Sequence, residues 1–237
     1  PVEGKMNILE IGVGIRPRPL KDYMLTRDRK SKYAPEGSPI IEEFADISKF
    51  ERYVGVESNA DWLARAKRRI STLPAGVRKK ISLLHANGCR LDFPSCTFDV
   101  VLLEEVLSAP TPDTTPVEEP YPDDICISES VKRRMLRETL RLLKPGGVAV
   151  LSVCQTPCYS VPAFKWLNRH FVVPGLMRVI REHGEFPNGW GDDWHLYHTA
   201  WQKRGGIPIE PTKCTPYTER QKKYINLVDY LECLRWT

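Results

Sequence analysis

Short apolar runs alternate with stretches of helical periodicity along the first two thirds of the chain. Strand-sized apolar runs lie at 6–10, 53–57, 81–85, 98–103 and 148–153. Apolar positions recur at helical spacing from Trp62 to Leu73, with Ser58 as the predicted helix cap, and again over 131–143, where the glycines at 146–147 end the helix. Strands that alternate with helices predict a parallel α/β sheet with both faces covered.

Three segments depart from this alternation and predict additions to a single domain that spans residues 1–237. Residues 15–48 are polar, basic and rich in proline, and residues 108–130 hold five prolines and six acids without a lysine or arginine. We expect both to be insertions, and the second to be a mobile segment beside the site that acts as a lid or binds a partner. Residues 159–201 hold nine aromatic side chains and predict a cap, and 207–209 and 230–236 are weaker strand candidates.

Ligands of parallel sheets bind beyond the carboxyl ends of the strands, so the residues that follow each strand are the candidate site. Gly12 and Gly14 follow the first strand and predict a tight turn that a ligand can approach closely. A dinucleotide-binding loop would place a third glycine at position 17, where this chain has Pro17. The sequence therefore argues against a nicotinamide or flavin dinucleotide.

Two polar residues at the next strand ends indicate a nucleoside pocket. Glu57 closes the second strand, where its carboxylate can accept hydrogen bonds from both hydroxyls of a ribose. Asn87 closes the third strand and can accept from the exocyclic amine of an adenine. Each residue alone could equally be a loop cap, and it is their succession that predicts the pocket.

With these motifs in place, the sequence resembles the class I S-adenosylmethionine-dependent methyltransferases, most of all the group that includes the ubiquinone/menaquinone-type enzymes. The matching segments are ILEIGVG at 8–14, VGVE at 54–57, HANG at 85–88, FDVV at 98–101 with EVL at 105–107, and LRLLKPGG at 140–147. The resemblance implies a Rossmann-like three-layer sandwich with a mostly parallel seven-stranded sheet, whose last strand is antiparallel.

The resemblance also implies S-adenosylmethionine as the cofactor and a set of cofactor-binding residues. Its methionine part would lie against the loop, its ribose on the second strand's acid, its adenine beside the third strand, and its sulfonium and amino acid end past the fourth strand. In that order, the implied residues are Glu10, Gly12 and Gly14; Glu57; Asn87, where aspartate is usual, with Gly88; and Glu104. Glu105 matches an acidic position that the group often has.

The chain departs from the group's pattern around the first strand. Ile15 and Arg16 replace a small residue and a glycine, and Arg16 could contact the cofactor's carboxylate or solvent. Only five residues precede the first strand, where the group has a helix, so a truncated N-terminus is expected.

Methyl transfer from a sulfonium is an in-line displacement, in which the protein chiefly positions the reactants. A general base is needed only where the acceptor must lose a proton. The candidates are Glu104, Glu105, His195 and His198, and none is assigned as catalytic.

The aromatic segment predicts a small, largely apolar acceptor, although the same side chains could instead pack a lid onto the sheet. The residues concerned are Phe164, Trp166, Phe171, Trp190 and Trp194. Basic runs at 16–32 and 65–80 leave a protein or RNA acceptor open. The departures at Ile15, Arg16 and Asn87 leave open a domain that binds partners without turnover.

Composition indicates the class of protein and its cellular location. A chain with 41% hydrophobic and 27% charged residues is an ordinary globular protein. Its seven cysteines form no pairing or metal-binding pattern, which predicts reduced thiols, a cytoplasmic location and no bound metal. No apolar stretch is long enough for a membrane span. The sequence does not predict an oligomeric state.

Overall fold

A computed structural model describes residues 5–14, 17–19, 39–45, 50–108, 127–154, 165–185 and 196–213. In chain order these contain β1 (Met6–Ile11), α1 (Pro39–Phe44), β2 (Phe50–Glu57), α2 (Ala60–Ile70), α3 (Ala75–Arg78), β3 (Ile81–His85), β4 (Phe98–Glu104), α4 (Glu129–Leu142), β5 (Leu143–Cys154), β6 (Met177–Glu185), β7 (Leu196–Lys203) and β8 (Thr212–Lys213). A 3-10 turn at Val106–Ser108 follows β4, and a π-helical turn at Asn168–Val172 precedes β6.

One sheet holds these strands in the order β3-β2-β1-β4-β5-β7-β6-β8. The neighbouring pairs among β3, β2, β1, β4 and β5 are all parallel. β7 is antiparallel to both β5 and β6. β8 adds two residues to the edge, parallel to β6. The predicted Rossmann-like fold with a mostly parallel sheet is confirmed, and the last long strand is the antiparallel one.

Different helices cover the two faces of the sheet, and each packs against it through apolar side chains. On one face, Leu9 and Ile11 of β1 belong to a core that includes Leu136 of α4. On the other face, Met6 and Ile8 pack with apolar residues of α1. Because successive residues of a strand point to opposite faces, β1 is apolar on both sides, as a central parallel strand must be.

The helix after β2 begins one residue later than predicted. Asn59, and not Ser58, is the N-cap of α2, because its side chain accepts a hydrogen bond from the backbone N–H of Trp62 at 3.0 Å. The helix ends at Ile70, and Leu73 packs beside it in a turn. Two adjacent residues of capping type left the sequence prediction uncertain by one position.

Of the two weak strand candidates near the C-terminus, 207–209 is wrong, because these residues do not form a strand. The other, 230–236, lies outside the described residues. The additional long strands are β6 and β7. β6 lies within the aromatic segment 159–201, and β7 begins in that segment and ends at Lys203. β6 carries polar contacts instead of an apolar run: its Arg181 pairs with Glu43 of α1 at 2.8 Å. Of the acidic segment predicted over 108–130, residues 109–126 lie outside the described part of the chain, so its role beside the site stays a prediction.

A carboxylate on α4 fastens the loop between β3 and β4. Glu138 accepts a hydrogen bond from the backbone N–H of Leu91 at 2.8 Å, and Arg141 donates to Glu138 at 2.6 Å and to the backbone oxygen of Phe93 at 2.7 Å. The hydrogen bond from Arg141 is the largest cause that lowers the pKa of Glu138, and the Leu91 N–H adds to it.

This lowered pKa predicts an acid-sensitive contribution to stability. A carboxyl whose folded pKa is depressed stabilises the fold above its unfolded pKa of about 4.3, and this contribution is lost as pH falls through the lower folded value. Glu138→Gln keeps an acceptor for Leu91 but removes the charge. We expect the wild type to be more stable than this variant by about 1 kcal/mol at pH 7. The difference should shrink below about pH 4 in urea unfolding; a difference that stays constant with pH would contradict this.

Candidate functional site

The loop after β1 is folded tightly over the end of β2. Gly12 and Gly14 have φ values of +77° and +54°, a left-handed conformation that other residues adopt at a cost. A Cβ on Gly12 would lie 2.4 Å from Cγ2 of Val106, whereas a Cβ on Gly14 would meet nothing within 4 Å. The glycine loop therefore packs at its first glycine and leaves open space at its second.

Glu57 joins the end of β2 to this glycine loop. Its Oε2 accepts a hydrogen bond from the backbone N–H of Gly14 at 2.8 Å, and its Oε1 accepts from the N–H of Asn59 at 2.9 Å. The residue is only 6% exposed. A carboxylate has about four acceptor positions, so these two bonds leave capacity for two ribose hydroxyls.

Asn87 and Gly88 follow β3 at the same edge of the sheet. Asn87 is exposed, and its side-chain oxygen accepts from the N–H of Cys89 at 2.9 Å in a local turn. Gly88 is buried, and a Cβ there would lie 2.4 Å from Cγ2 of Ile11. An adenine amine that reached Asn87 would share its oxygen with the turn, and Gly88 keeps this turn close to β1.

A buried polar cluster lies beside the glycine loop at the ends of β1 and β4. Glu10, which is 1% exposed, accepts hydrogen bonds from the hydroxyl of Tyr53 and from the backbone N–H of Arg18 at 2.8 Å. Nη1 of Arg18 lies 3.3 Å from Oε1 of Glu104. Burial, and next the negative charge of Glu10, raise the pKa of Tyr53 well above its usual value, so the phenol stays a donor.

Sequence reasoning missed Tyr53 and Arg18. Tyr53 reads as one more apolar position of β2. A Cβ on Gly55, two residues later, would lie 2.6 Å from Cδ2 of Leu83, 2.8 Å from Cγ1 of Val13 and 3.2 Å from Cε1 of Tyr53, so this glycine leaves room for all three side chains. This Tyr-x-Gly spacing on one strand face is a signal that could have been used. Arg18 is one of several basic residues in the run 16–32, and the sequence pattern does not distinguish it from the others.

The candidate general bases occupy different positions. Two of the candidates share one row of paired residues across the sheet. In this row Glu104 of β4 is paired with Ser152 of β5, Ser152 with His198 of β7, and His198 with His183 of β6. His198 is 5% exposed, and Glu105 is exposed with a φ of +60°. Outside the described residues lie the positions of Ile15, Arg16, Phe164, Trp190, Trp194 and His195.

The two described aromatic candidates for the acceptor pocket pack into the core. Trp166 and Phe171 are 9% and 5% exposed and belong to the cluster on the α4 face. Their rings meet edge to face at 5.3 Å, and the guanidinium of Arg137 lies 5.0 Å from the ring centre of Trp166. For these two residues the structure shows packing against the sheet.

The basic run at 65–80 extends toward the amino ends of the strands, whereas the glycine loop lies at their carboxyl ends. α2 begins after the carboxyl end of β2 and runs back, so its last turn, with Lys67, Arg68 and Arg69, lies toward the amino ends of the strands. Nζ of Lys80 lies 3.0 Å from the backbone oxygen of Phe50, at the start of β2. Most of these cations are therefore remote from the candidate site.

In the described ranges, no three His, Cys, Asp or Glu side chains are grouped as a metal site would require. Among the helices of the described segments, none is long and apolar enough to cross a bilayer.

Comparison with known proteins finds a sequence family that part of the chain matches. Residues 37–119 match the sequence profile of a family described as a methyltransferase domain. No curated protein sequence matches the chain. Similar solved structures include an S-adenosylmethionine-dependent methyltransferase from Methanosarcina mazei, with 13% identity and a TM-score of 0.53 over 86% of this chain and 94% of that one.

Two further structures share the fold at 13% identity. The N-methyltransferase NodS from Bradyrhizobium japonicum has a TM-score of 0.51, with 85% of this chain and 88% of that one covered. The (4+2)-cyclase SpnF has a TM-score of 0.54, with 86% and 78% covered. The likeness to these structures shows that the chain shares their Rossmann-like fold. Residues 37–119 are in addition similar to the methyltransferase-domain profile.

Proposed function

We propose that the protein transfers a methyl group from S-adenosylmethionine to a small, largely apolar acceptor. The observation that carries the proposal is the junction of Glu57 with the glycine loop, where a buried carboxylate holds the N–H of Gly14 beside open space. A ribose with two adjacent hydroxyls fits a carboxylate that has acceptor capacity left. The match to a methyltransferase domain supports the same cofactor.

The residues at the strand ends fit the cofactor part by part. Glu57 would hold the ribose, Gly12 and Gly14 would border the methionine part, and Asn87 and Gly88 would face the adenine. Glu10 and Glu104 are buried carboxylates at the ends of β1 and β4, where the sulfonium and amino acid end would lie. When bound, the cofactor supplies a methyl group that is already activated for in-line displacement. The protein's part is to orient it and to exclude water.

Charge distribution favours a small acceptor over a nucleic acid. The cations of 67–80 lie at the amino edge, away from the glycine loop, whereas the acidic segment follows β4 on the ligand side in sequence. Acids near the site would repel phosphates. The apolar character of the acceptor rests on the aromatic content of 159–201, and with the motifs it supports a relation to the ubiquinone/menaquinone-type group.

Protein or RNA methylation remains the alternative acceptor class, favoured by the basic runs. A domain without methyl transfer is a second alternative, because the (4+2)-cyclase SpnF shares the fold. If the acceptor must lose a proton, Glu104, Glu105 and His198 are the candidate bases in the described part of the chain. We place the protein in the cytoplasm on the strength of its seven unpatterned cysteines.

Two measurements test this function. Calorimetry with S-adenosylhomocysteine should show binding to the purified protein, and labelled S-adenosylmethionine should pass its methyl group to members of a panel of small apolar alcohols, thiols, amines and phenols. Panels of RNA and of peptides serve as the matched comparison. Label transfer to RNA or peptide alone would overturn the acceptor class, and binding without transfer to any panel would favour the non-catalytic alternative.

A further inference from the structure

The outer edge of β3 is the side of that strand that faces away from β2. β3 stands first in the sheet order and, among the described residues, pairs with β2 alone. The backbone oxygen of Lys80 accepts from the N–H of Tyr53 at 2.9 Å, and the N–H of Ala86 donates to the oxygen of Glu57 at 3.1 Å. The even-numbered residues thus point their backbone groups toward β2, and the odd-numbered residues of β3 point theirs outward. The outward residues are Ile81, Leu83 and His85.

This edge lacks the side chains and the bulge that usually stop an exposed strand from pairing. Proteins protect such edges with charged residues, prolines or irregular register. The ISLLH of β3 contains no lysine, arginine, acid or proline, and its register with β2 is unbroken from Ile81 to His85. Leu84 is 37% exposed and lies on the α4 face of the sheet, since its partner Val56 belongs to that core. β3 can therefore accept a further strand along its outer edge.

The surface beside this edge is positively charged over a long stretch of sequence. No acidic residue occurs between Asp61 and Asp92. Ile81 and Leu83 of β3 pack against a small core that contains Ile70, so the end of α2 lies beside the edge strand. Exposed cations on α2, on α3 and directly before β3 form no ion pair with any carboxylate in the described ranges. These cations are Arg65, Lys67, Arg68, Arg78 and Lys79.

These cations favour one kind of strand over the others that could pair with the edge. Two copies of this chain joined edge to edge would bring two sets of cations together, and like charges disfavour that contact. A strand with acidic residues would supply the anions instead. Because alternate side chains of a strand point to opposite faces, its acids would meet the cations of α2 and α3 on one face. Its apolar residues would lie beside Leu84 on the other face.

We propose that the outer edge of β3 binds an extended segment of a protein partner as an additional strand, and that acidic and apolar residues alternate in this segment. Main-chain hydrogen bonds to the outward groups of β3 provide affinity, and the alternating side chains provide the choice of partner. This interaction surface goes beyond the proposed function and does not rest on it.

Residue-resolved amide hydrogen exchange, followed by NMR, tests the addition of a strand directly. In the free protein, Leu84 should exchange slowly because β2 holds its N–H, and Leu83 should exchange readily. A synthetic peptide of about eight residues, in which glutamate and valine alternate, should slow exchange at Leu83 and His85 roughly tenfold or more. The matched probes are the same peptide with lysine in place of glutamate and a single-stranded RNA of uridines.

Peptide titration measures the contribution of the cations. We expect the wild type to bind the glutamate peptide roughly tenfold more tightly than the lysine peptide at low salt. The variant Arg65→Glu/Arg68→Glu on α2 should remove this preference. The control Arg169→Glu/Arg204→Glu changes two exposed cations near the β6 and β7 side of the sheet and should retain it.

The proposal is overturned if the glutamate peptide leaves exchange at Leu83 unchanged, or if the wild type binds both peptides equally. If the RNA binds and the glutamate peptide does not, the cations serve a nucleic acid and the proposal is wrong. Protection of Leu83 that rises with protein concentration in the absence of peptide would assign the edge to a second copy of the chain. Because both peptides are compared on the wild type, poor folding of Arg65→Glu/Arg68→Glu would leave this test intact.

Discussion

Glu57→Ala is expected to lower the affinity for S-adenosylhomocysteine roughly tenfold or more. The variant removes the acceptors proposed for both ribose hydroxyls, and hydrogen bonds to a charged group contribute about 1.5–3 kcal/mol. It also removes the partner of the Gly14 N–H, so the glycine loop loses its tie to β2. Both effects act on the same ligand, and isothermal titration calorimetry measures their sum.

The control for Glu57 lies on the same strand. Glu51 is an exposed carboxylate near the start of β2, at the edge of the sheet away from the glycine loop. Glu51→Ala should leave the affinity within about twofold of the wild type, because exposed carboxylates contribute little beyond their immediate surroundings. Unchanged affinity in Glu57→Ala, in a protein whose thermal unfolding matches the control, would count decisively against the ribose assignment.

The elements that sequence periodicity located well are those with an apolar run on both faces. β1 and β4 lie within one residue of their predicted bounds, because a central parallel strand leaves an uninterrupted apolar signature. β3 also has its predicted bounds, although it is an edge strand with half-buried and exposed residues. β6 and β7 were missed because they pair at the antiparallel side of the sheet and mix charged with apolar residues, as in the MRVIREHGE of β6. Such strands are specified by their neighbours and not by their own pattern.

The candidate site divides in the same way. Glu10, Gly12, Gly14, Glu57 and Gly88 each follow or close a strand, so strand prediction alone brings them to one edge of the sheet. Arg18 and Tyr53 join that edge through tertiary contacts, which include their hydrogen bonds to Glu10, and Gly55 leaves space beside the tyrosine ring. The Tyr-x-Gly spacing marks the position of Tyr53 on its strand, but no sequence pattern indicates that its hydroxyl meets Glu10 or that Arg18 lies beside them.

Alanine at the two glycines of the loop is expected to produce opposite signatures. Gly12→Ala combines a left-handed backbone, which costs about 1–2 kcal/mol, with overlap against Val106, which costs about 1–3 kcal/mol more. Gly14→Ala carries the backbone cost alone, because nothing lies within 4 Å of its Cβ. Urea unfolding should therefore show the larger loss of stability for Gly12→Ala.

Ligand binding should rank the same two variants the other way when each is measured well below its unfolding temperature. The open space at Gly14 is where we expect the methionine part of the cofactor, so its new methyl group should lower affinity for S-adenosylhomocysteine more than its stability loss explains.

The double variant Gly12→Ala/Val106→Ala removes the Cγ2 that a Cβ at position 12 would meet at 2.4 Å. It should recover about 1 kcal/mol relative to the sum of the single variants. Strict additivity would show that Val106 does not limit this loop, and unchanged affinity in Gly14→Ala would place the cofactor elsewhere.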